Sequence, residues 1–210
     1  MTTPEKNDNK TGTAGRTPRT APKLDRLLSA SADLMARQGY SETSIRNVAS
    51  ETGLSLGGMY YYFENKEDLL FKIQERTFGT LLEAQRESLA GGGDAVERLR
   101  RLIHNHLDYF TSHFAELKVC TYELESLQGE RYEVIADLRR RYYACLAGVV
   151  GEILGLDPDA AVTDDQVRHY TLYIFGMLNW IFMWFDPERD ADITALGEEM
   201  ITLVTSGLRG

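Results

Sequence analysis

Apolar residues recur three and four positions apart along most of the chain, and no segment alternates apolar and polar residues as a β-strand does. In the stretch that begins at Pro22, for example, Leu24, Leu27, Leu28 and Leu34 follow this spacing. The pattern predicts an all-α fold of about nine helices. A chain of 210 residues is long enough for one domain with a full core, or for a small domain attached to a larger one.

Changes in composition divide the chain into three parts. Residues 1–21 are rich in Thr, Pro, Gly, Asn and Lys and have little to bury, so they are predicted to form a disordered basic arm. Residues 22–68 carry three short helical patterns, and residues 69–210 are predicted to form a larger helical domain. Beyond the three short helices, longer ones are predicted at about 65–90, 94–113, 115–128, 130–154, 164–185 and 194–208, with GLDPDAAVTD as a loop.

The charge is distributed unevenly. The net charge is −9, but residues 1–70 are neutral, with nine basic and nine acidic residues. The remaining residues carry 14 basic and 23 acidic side chains, while the stretch from Asn9 to Leu24 carries four basic residues and no acidic one. A basic arm on a neutral segment, followed by an acidic body, is typical of a protein that contacts a polyanion through one end only.

Several classes of protein are disfavoured. Cys120 and Cys145 lack metal-ligand spacing, and His104 and His106 lie two apart, so they point in different directions on a helix. No metal and no cofactor is therefore expected. No nucleophile–base pair or phosphate loop supports catalysis, which leaves an all-α enzyme or carrier as a remote alternative. No apolar run reaches the roughly 18 residues of a membrane span, and MTTPEKNDNK lacks the apolar core of a signal peptide, so a cytoplasmic location is expected.

The segment SLGGMYYYF, residues 55–63, is unusual because two glycines precede three tyrosines. It follows a short helical pattern that Ser41 or Thr43 can cap and that Gly53 ends. Two short helices joined by a tight turn predict a helix-turn-helix, whose second helix enters the major groove of DNA.

Within this second helix, Met59 and Phe63 lie four apart and are expected to face the core. Tyr60 and Tyr61 are expected to point outwards, where a hydroxyl can donate to a phosphate oxygen. The glycines allow a close approach of the backbone to DNA. Alternatively, the tyrosines cover a small three-helix core and bind nothing.

The motifs of residues 24–70 resemble the DNA-binding domain of TetR-family transcriptional regulators. The matching positions are Gly39–Tyr40, the run TSIRNVA at 43–49, and most of GLSLGGMYYYFENKEDL at 53–69. The roles that the resemblance implies are phosphate contact for Thr43 and Ser44, a position facing the groove for Arg46, Ser55, Leu56, Gly57 and Tyr61, and a grip on the DNA backbone for Tyr60, Tyr62 and Lys66. Leu56 and Tyr62 stand where the family commonly has Lys and His, so Arg46 and Tyr61 are expected to carry most base contacts, with Leu56 against a thymine methyl.

The C-terminal helices predict a dimer interface and a cavity. The helix at 164–185 is apolar nearly all round, and the resemblance implies that it and the helix at 194–208 pair with their copies in a homodimer. Aromatic and Met side chains of the body are expected to line an apolar effector pocket. These candidates are Tyr109, Phe110, Phe114, Tyr122, Tyr142, Tyr143, Phe175, Met177 and Trp180. The cluster Arg139–Arg141 is read either as a solvated helix face or as a site for an anionic ligand.

One further resemblance concerns the effector. Asn179, Trp180, Trp184, Phe185 and Pro187 match an ending found in a TetR subgroup, several of whose members respond to acyl-CoA thioesters. Met183 stands where that subgroup often has Arg or Lys. The chain is thus expected to be a ligand-responsive repressor, released from a palindromic double-stranded DNA operator by a small, largely apolar effector such as an acyl-CoA or a related carboxylic acid. The alternative is a multidrug-sensing repressor of an efflux gene.

Overall fold

The computed structural model describes residues 21–186, 188–190 and 192–209. In this part of the chain it contains ten α-helices and no strand, which confirms the all-α prediction. The helices are α1 (Ala21–Gln38), α2 (Ile45–Thr52), α3 (Leu56–Tyr62), α4 (Lys66–Ala90), α5 (Ala95–Ser112), α6 (Phe114–Tyr122), α7 (Gly129–Ile153), α8 (Pro158–Thr163), α9 (Asp165–Trp180) and α10 (Ile193–Arg209). The predicted arm lies outside the described residues except for Ala21, which begins α1.

One helix, α8, was not predicted. It forms within GLDPDAAVTD, the stretch that was predicted as a loop. Asp157 caps it by accepting hydrogen bonds from the backbone N–H groups of Asp159 and Ala160, and Pro158 occupies the first helical position. Two of the predicted helices are also shorter than expected. Short 3₁₀ turns at Leu124–Ser126 and Ile181–Met183 follow α6 and α9.

The first three helices form the helix-turn-helix domain. The predicted cap of α2 was wrong: Ser44, not Ser41 or Thr43, caps it, because Ser44 Oγ accepts from Asn47 N–H at 3.1 Å while Asn47 Oδ1 accepts from Ser44 N–H at 2.9 Å. Gly53 ends α2 with φ 68°, as predicted. The turn into α3 is therefore fixed by local hydrogen bonds at both ends of α2.

The body surrounds α4 and α7, which pack on each other along their length. Helix α5 packs on both, α10 covers α5, and α6 lies between α4 and α1. Because α4 starts beside α3 and continues into the body, the boundary predicted between residues 68 and 69 falls inside one continuous helix. None of the helices in the described ranges is long and apolar enough to cross a membrane.

Candidate DNA-binding surface and effector cavity

Helix α3 presents its tyrosines to solvent. Ser55 caps the helix by accepting from Gly58 N–H at 3.1 Å. Met59 and Phe63 are buried in the core, whereas Tyr60 and Tyr61 are 58% and 76% exposed. The predicted inward and outward faces of this helix are confirmed. The hydroxyls of Tyr60 and Tyr61 lie on the surface where a phosphate can reach them.

Most of the predicted DNA contacts lie on this surface. Ser44, Arg46, Ser55, Leu56 and Gly57 are exposed, and Tyr62 is half-buried with its ring edge-to-face against Tyr61. Their contacts with DNA stay predictions.

Thr43 is placed differently from the prediction. Its side chain is buried, its hydroxyl donates to the Gly39 carbonyl at 2.8 Å, and it accepts from Gln38 Nε2 at 3.1 Å. Because both functions of the hydroxyl are used inside the protein, Thr43 holds the turn between α1 and α2 and does not offer its side chain to a phosphate.

Lys66, at the start of α4, is tied to the same turn. Its ammonium donates to the carbonyls of Tyr40 and Ser41 at 3.0 and 3.2 Å and lies 4.3 Å from the centre of the Tyr40 ring. An ammonium has three N–H donors, so one remains for the phosphate contact that the sequence predicts. Lys66 thus positions the N-terminal end of α2 relative to α4.

Replacing Lys66 with Met should lower the free energy of unfolding by about 1 kcal/mol and weaken binding to operator DNA several-fold. The aliphatic stem is kept, but two charge-assisted hydrogen bonds and the cation–π contact are lost. Chemical denaturation and fluorescence anisotropy measure the two effects. Lys72→Met in the same helix is the control, since the one polar contact of Lys72 within the described ranges is with Asp68 at 3.7 Å. Equal effects of both substitutions would contradict the positioning role.

A partly open cavity of about 350 Å³ lies in the body between α4, α5, α6, α7 and α9. Its wall is mostly apolar and includes two arginines but no acidic residue. The lining residues are Phe78, Leu81, His106, Leu117, Cys120, Thr121, Arg139, Arg140, Tyr142, Tyr143, Leu172, Phe175 and Asn179. Of the predicted pocket residues, Tyr142, Tyr143 and Phe175 are in this wall.

The other predicted pocket residues lie elsewhere. Met177 and Trp180 face a groove between α9 and α10 on the outside of the body. Phe110 is buried against Phe185, and Phe114 and Tyr122 are largely exposed. None of these aromatic residues is in the cavity wall. The prediction failed because helix spacing indicates which residues share a face but not which cavity that face borders.

Tyr109 is also absent from the cavity wall. Its ring stacks on that of His113, with ring centres 4.0 Å apart.

A buried hydrogen-bond chain forms one side of the cavity. Gln85 Nε2 donates to the Leu102 carbonyl at 3.3 Å and to the Tyr142 hydroxyl at 2.9 Å. The Tyr142 hydroxyl lies 2.9 Å from His106 Nδ1, and because Gln85 already donates to this oxygen, we assign the hydroxyl as the donor to Nδ1. This leaves the proton of the neutral imidazole on Nε2, and makes that nitrogen a donor at the cavity wall.

Burial lowers the pKa of His106 to about 4. In the unfolded chain the imidazole titrates near its ordinary pKa of about 6.5, so the unfolded state binds more protons than the folded state between these two values. Stability that is present above pH 6.5 is therefore lost as the pH falls towards 4. The loss is on the order of 3 kcal/mol.

The pH dependence of unfolding tests this assignment. His106→Asn keeps a side-chain acceptor near Tyr142 but cannot titrate, so its free energy of unfolding should fall less between pH 7 and pH 4 than that of the wild type. His169→Asn, at an exposed histidine, is the control and should follow the wild type. An identical pH dependence in His106→Asn would contradict a buried neutral imidazole.

Side chains of α6 and α7 connect the cavity to the DNA-binding domain. In α6, Glu116 accepts from Ser29 Oγ at 2.8 Å, and Lys118 donates to the Ala36 carbonyl at 2.9 Å; both partners belong to α1. At the start of α7, Arg131 pairs with Glu64 at 2.9 Å, just after α3. Helices that line the cavity thus bind the domain that carries the exposed tyrosines of α3.

A groove between α9 and α10 lies on the outer surface of the body, and most of its lining residues are apolar. It is formed by Leu172, Tyr173, Gly176, Met177, Trp180, Trp184, Leu196, Glu199, Met200 and Leu203. Tyr173, Trp180 and Leu203 are 63%, 56% and 66% exposed. Exposed apolar patches of this kind mark interaction surfaces in soluble proteins.

Comparison with known proteins agrees with both parts of the structure. Residues 27–73 match the tetR family of bacterial regulatory proteins, and residues 92–208 match the tetracyclin repressor-like C-terminal domain. The second match covers more than half of the chain. The protein belongs to the TetR family of bacterial transcription regulators, as the helix-turn-helix motifs indicated.

Similar proteins extend over nearly the whole chain. The fatty acid metabolism regulator protein of Bacillus subtilis strain 168 is 25% identical over 188 residues, which cover 89% of this chain and 96% of the relative. A TetR-family regulator from Bordetella parapertussis 12822 has a crystal structure that superposes with a TM-score of 0.80 at 26% identity, covering 87% of this chain and 93% of the other. AibR, solved in complex with isovaleryl coenzyme A and operator DNA, superposes with a TM-score of 0.75 at 22% identity, covering 86% of this chain and 97% of the other.

Proposed function

We propose that the protein is a transcriptional repressor that binds a palindromic operator as a homodimer and is released by a small, largely apolar effector. The observation that carries this proposal is the position of the cavity. Its wall includes α4 and α6, and both of these helices also contact α1 of the helix-turn-helix domain.

The transmission of ligand binding follows from these contacts. Phe78 and Leu81 of α4 line the cavity, and the same helix begins at Lys66 beside the DNA-binding surface. Leu117 and Thr121 of α6 line the cavity, while Glu116 and Lys118 of the same helix bind α1. A ligand that binds one arrangement of α4 and α6 more tightly than the other shifts the population towards that arrangement, and so changes the spacing of two helix-turn-helix units.

Dimerisation places two such units on one DNA molecule. The groove between α9 and α10 presents an apolar strip that a second copy of the chain can cover with the same strip, as a two-fold interface requires. A single helix-turn-helix reads one half-site, and a dimer reads two half-sites one helical turn apart. The homodimer therefore accounts for both the exposed apolar residues and the palindromic symmetry of the predicted operator.

The class of effector is supported by similar proteins and by the wall of the cavity. The relative from Bacillus subtilis is described as a regulator of fatty acid metabolism, and AibR was solved with a short-chain acyl-CoA. The apolar wall of this cavity suits an acyl group. An acyl compound is therefore the effector that we expect in preference to the cationic compounds of a multidrug sensor.

DNA binding by the full-length protein tests the proposal. Labelled fragments from upstream of its own gene and of neighbouring genes are titrated at several salt concentrations, with unrelated DNA of the same length as the control. Preferential binding to one fragment, a steep decrease with salt, and release by octanoyl-CoA or octanoate but not by rhodamine 6G are expected. Equal affinity for every fragment would exclude an operator among them and count against repression of these genes.

A further inference from the structure

We propose that the cavity selects a compact apolar carboxylate, and that Arg139 is the residue that binds the carboxylate group. The proposal rests on the proposed function only in taking the cavity as the effector site.

The charge of the wall is the first argument. Residues 71–210 carry 23 acidic and 14 basic side chains, yet none of the residues that line the cavity is acidic, and two of them are arginines. A wall of this composition attracts an anion and offers no counter-charge to a cation. The described wall of the cavity is thus basic although the body as a whole is acidic.

The state of Arg139 is the second argument. Its guanidinium is half-buried, donates to the Cys120 carbonyl at 3.0 Å, and lies 5.5 Å from the centre of the Phe78 ring. Burial lowers the pKa of Arg139. Among the described residues no carboxylate forms an ion pair with it. A desolvated cation without a counter-ion is unfavourable, and a bound carboxylate supplies the missing partner in the fork geometry that a guanidinium prefers.

The neighbouring arginines provide the comparison. Arg140 and Arg141 both lie 3.6 Å from a carboxylate oxygen of Asp137, and both are largely exposed. Arg141 therefore lies on a solvated face, and Arg140 lines the cavity with its charge exposed and close to Asp137. Within the cluster 139–141, only Arg139 combines a half-buried position, a place in the cavity wall and the lack of an ion-pair partner among the described residues.

His106 offers a further donor at the wall. The hydrogen-bond chain through Tyr142 leaves His106 with its proton on Nε2, and His106 makes no other hydrogen bond among the described residues. A donor here complements an oxygen of the ligand. The volume of about 350 Å³ is near the lower end of ligand pockets, roughly 300 to 1,000 Å³, so the enclosed ligand is compact.

A set of ligands that share one apolar body tests the proposal. Octanoate, octanamide, octylammonium and octanoyl-CoA are titrated into the full-length protein by isothermal calorimetry. Octanoate is expected to bind at least about tenfold more tightly than octanamide, because a hydrogen bond to a charged group is worth more than a neutral one, and octylammonium is expected not to bind. Equal affinity for octanoate and octanamide, or tighter binding of octanoyl-CoA than of octanoate, would overturn the carboxylate assignment.

Matched variants locate the charge partner. Arg139→Gln should lose the preference for octanoate over octanamide, while Arg140→Gln should keep it. Arg139→Lys retains the charge and should keep part of the preference, which maintains the test if the Gln variant does not fold. An undiminished preference in folded Arg139→Gln would refute the role of Arg139.

Operator binding is recorded separately, so that the two proposals can fail independently. Tight octanoate binding without release of DNA would leave the carboxylate site standing and refute octanoate-driven derepression. Release of DNA by another ligand, with no binding of octanoate, would refute the carboxylate site and leave the repressor function standing.

Discussion

Leu203→Glu is expected to prevent the proposed homodimer from forming and to weaken operator binding by about a hundredfold or more. Leu203 is 66% exposed at the groove between α9 and α10, so the substitution removes little from the core of one subunit. In a two-fold interface the change occurs twice, and it buries two carboxylates against an apolar surface without partners. Each helix-turn-helix would then bind its half-site alone. The affinity falls because binding of the first unit no longer raises the effective concentration of the second unit at its half-site.

The molar mass from light scattering and the operator affinity from anisotropy measure these two effects. Thr202→Glu is the matched control, because Thr202 is an exposed neighbour on α10 that does not line the groove. It should remain dimeric with nearly unchanged affinity. A dimeric Leu203→Glu protein would show that subunits associate through another surface, or that the groove serves another partner.

The helix-turn-helix could be predicted almost completely from sequence because its signals are local. Asn65 begins α4 as predicted, with its side chain accepting from Asp68 N–H at 2.8 Å, and Gly53 ends α2. Met59 and Phe63 face the core because their spacing permits only one common face. The cap of α2 was misassigned because three hydroxyl residues lie within four positions, and only the reciprocal bond with Asn47 distinguishes Ser44.

The cavity was harder to predict because helix α9 is apolar on opposite sides. Phe175 and Asn179 share the side that faces the cavity, while Tyr173, Met177 and Trp180 share the side that faces the outer groove. The spacing of the residues separates these two sides but does not show which one is enclosed. That distinction depends on the packing of α7 on α9 and of α10 on α5, which the spacing within α9 does not reveal.

The polar residues of the cavity were missed for a related reason. His106 lies on the buried face of α5 between Ile103 and Phe110, a position that by itself indicates a core residue. Its role as a donor depends on Gln85 and Tyr142, which belong to two other helices. In the sequence Arg139 is one of three adjacent arginines. Only the structure shows that Arg140 pairs with Asp137 whereas Arg139 is half-buried in the cavity wall.

Gly57→Gln is expected to stabilise the protein by about 0.5 kcal/mol and, at the same time, to weaken operator binding at least tenfold. Gly57 is exposed in the first turn of α3, and a Cβ atom added there meets no atom within 4 Å. Glutamine therefore fits without strain and is the better helix former. On the DNA-binding surface, however, its side chain occupies the space through which the backbone of α3 approaches the major groove.

Gly79→Gln separates the two effects of this substitution. Gly79 lies in α4 with equally open space at its Cβ, so it should gain a similar stability without any loss of DNA affinity. Because the Gly57 variant is expected to be more stable and yet bind more weakly, partial unfolding cannot explain the loss. Unchanged operator affinity in Gly57→Gln would instead show that α3 binds DNA through its tyrosines at a distance from the bases, and would leave base recognition to Arg46 and to the shape of the DNA.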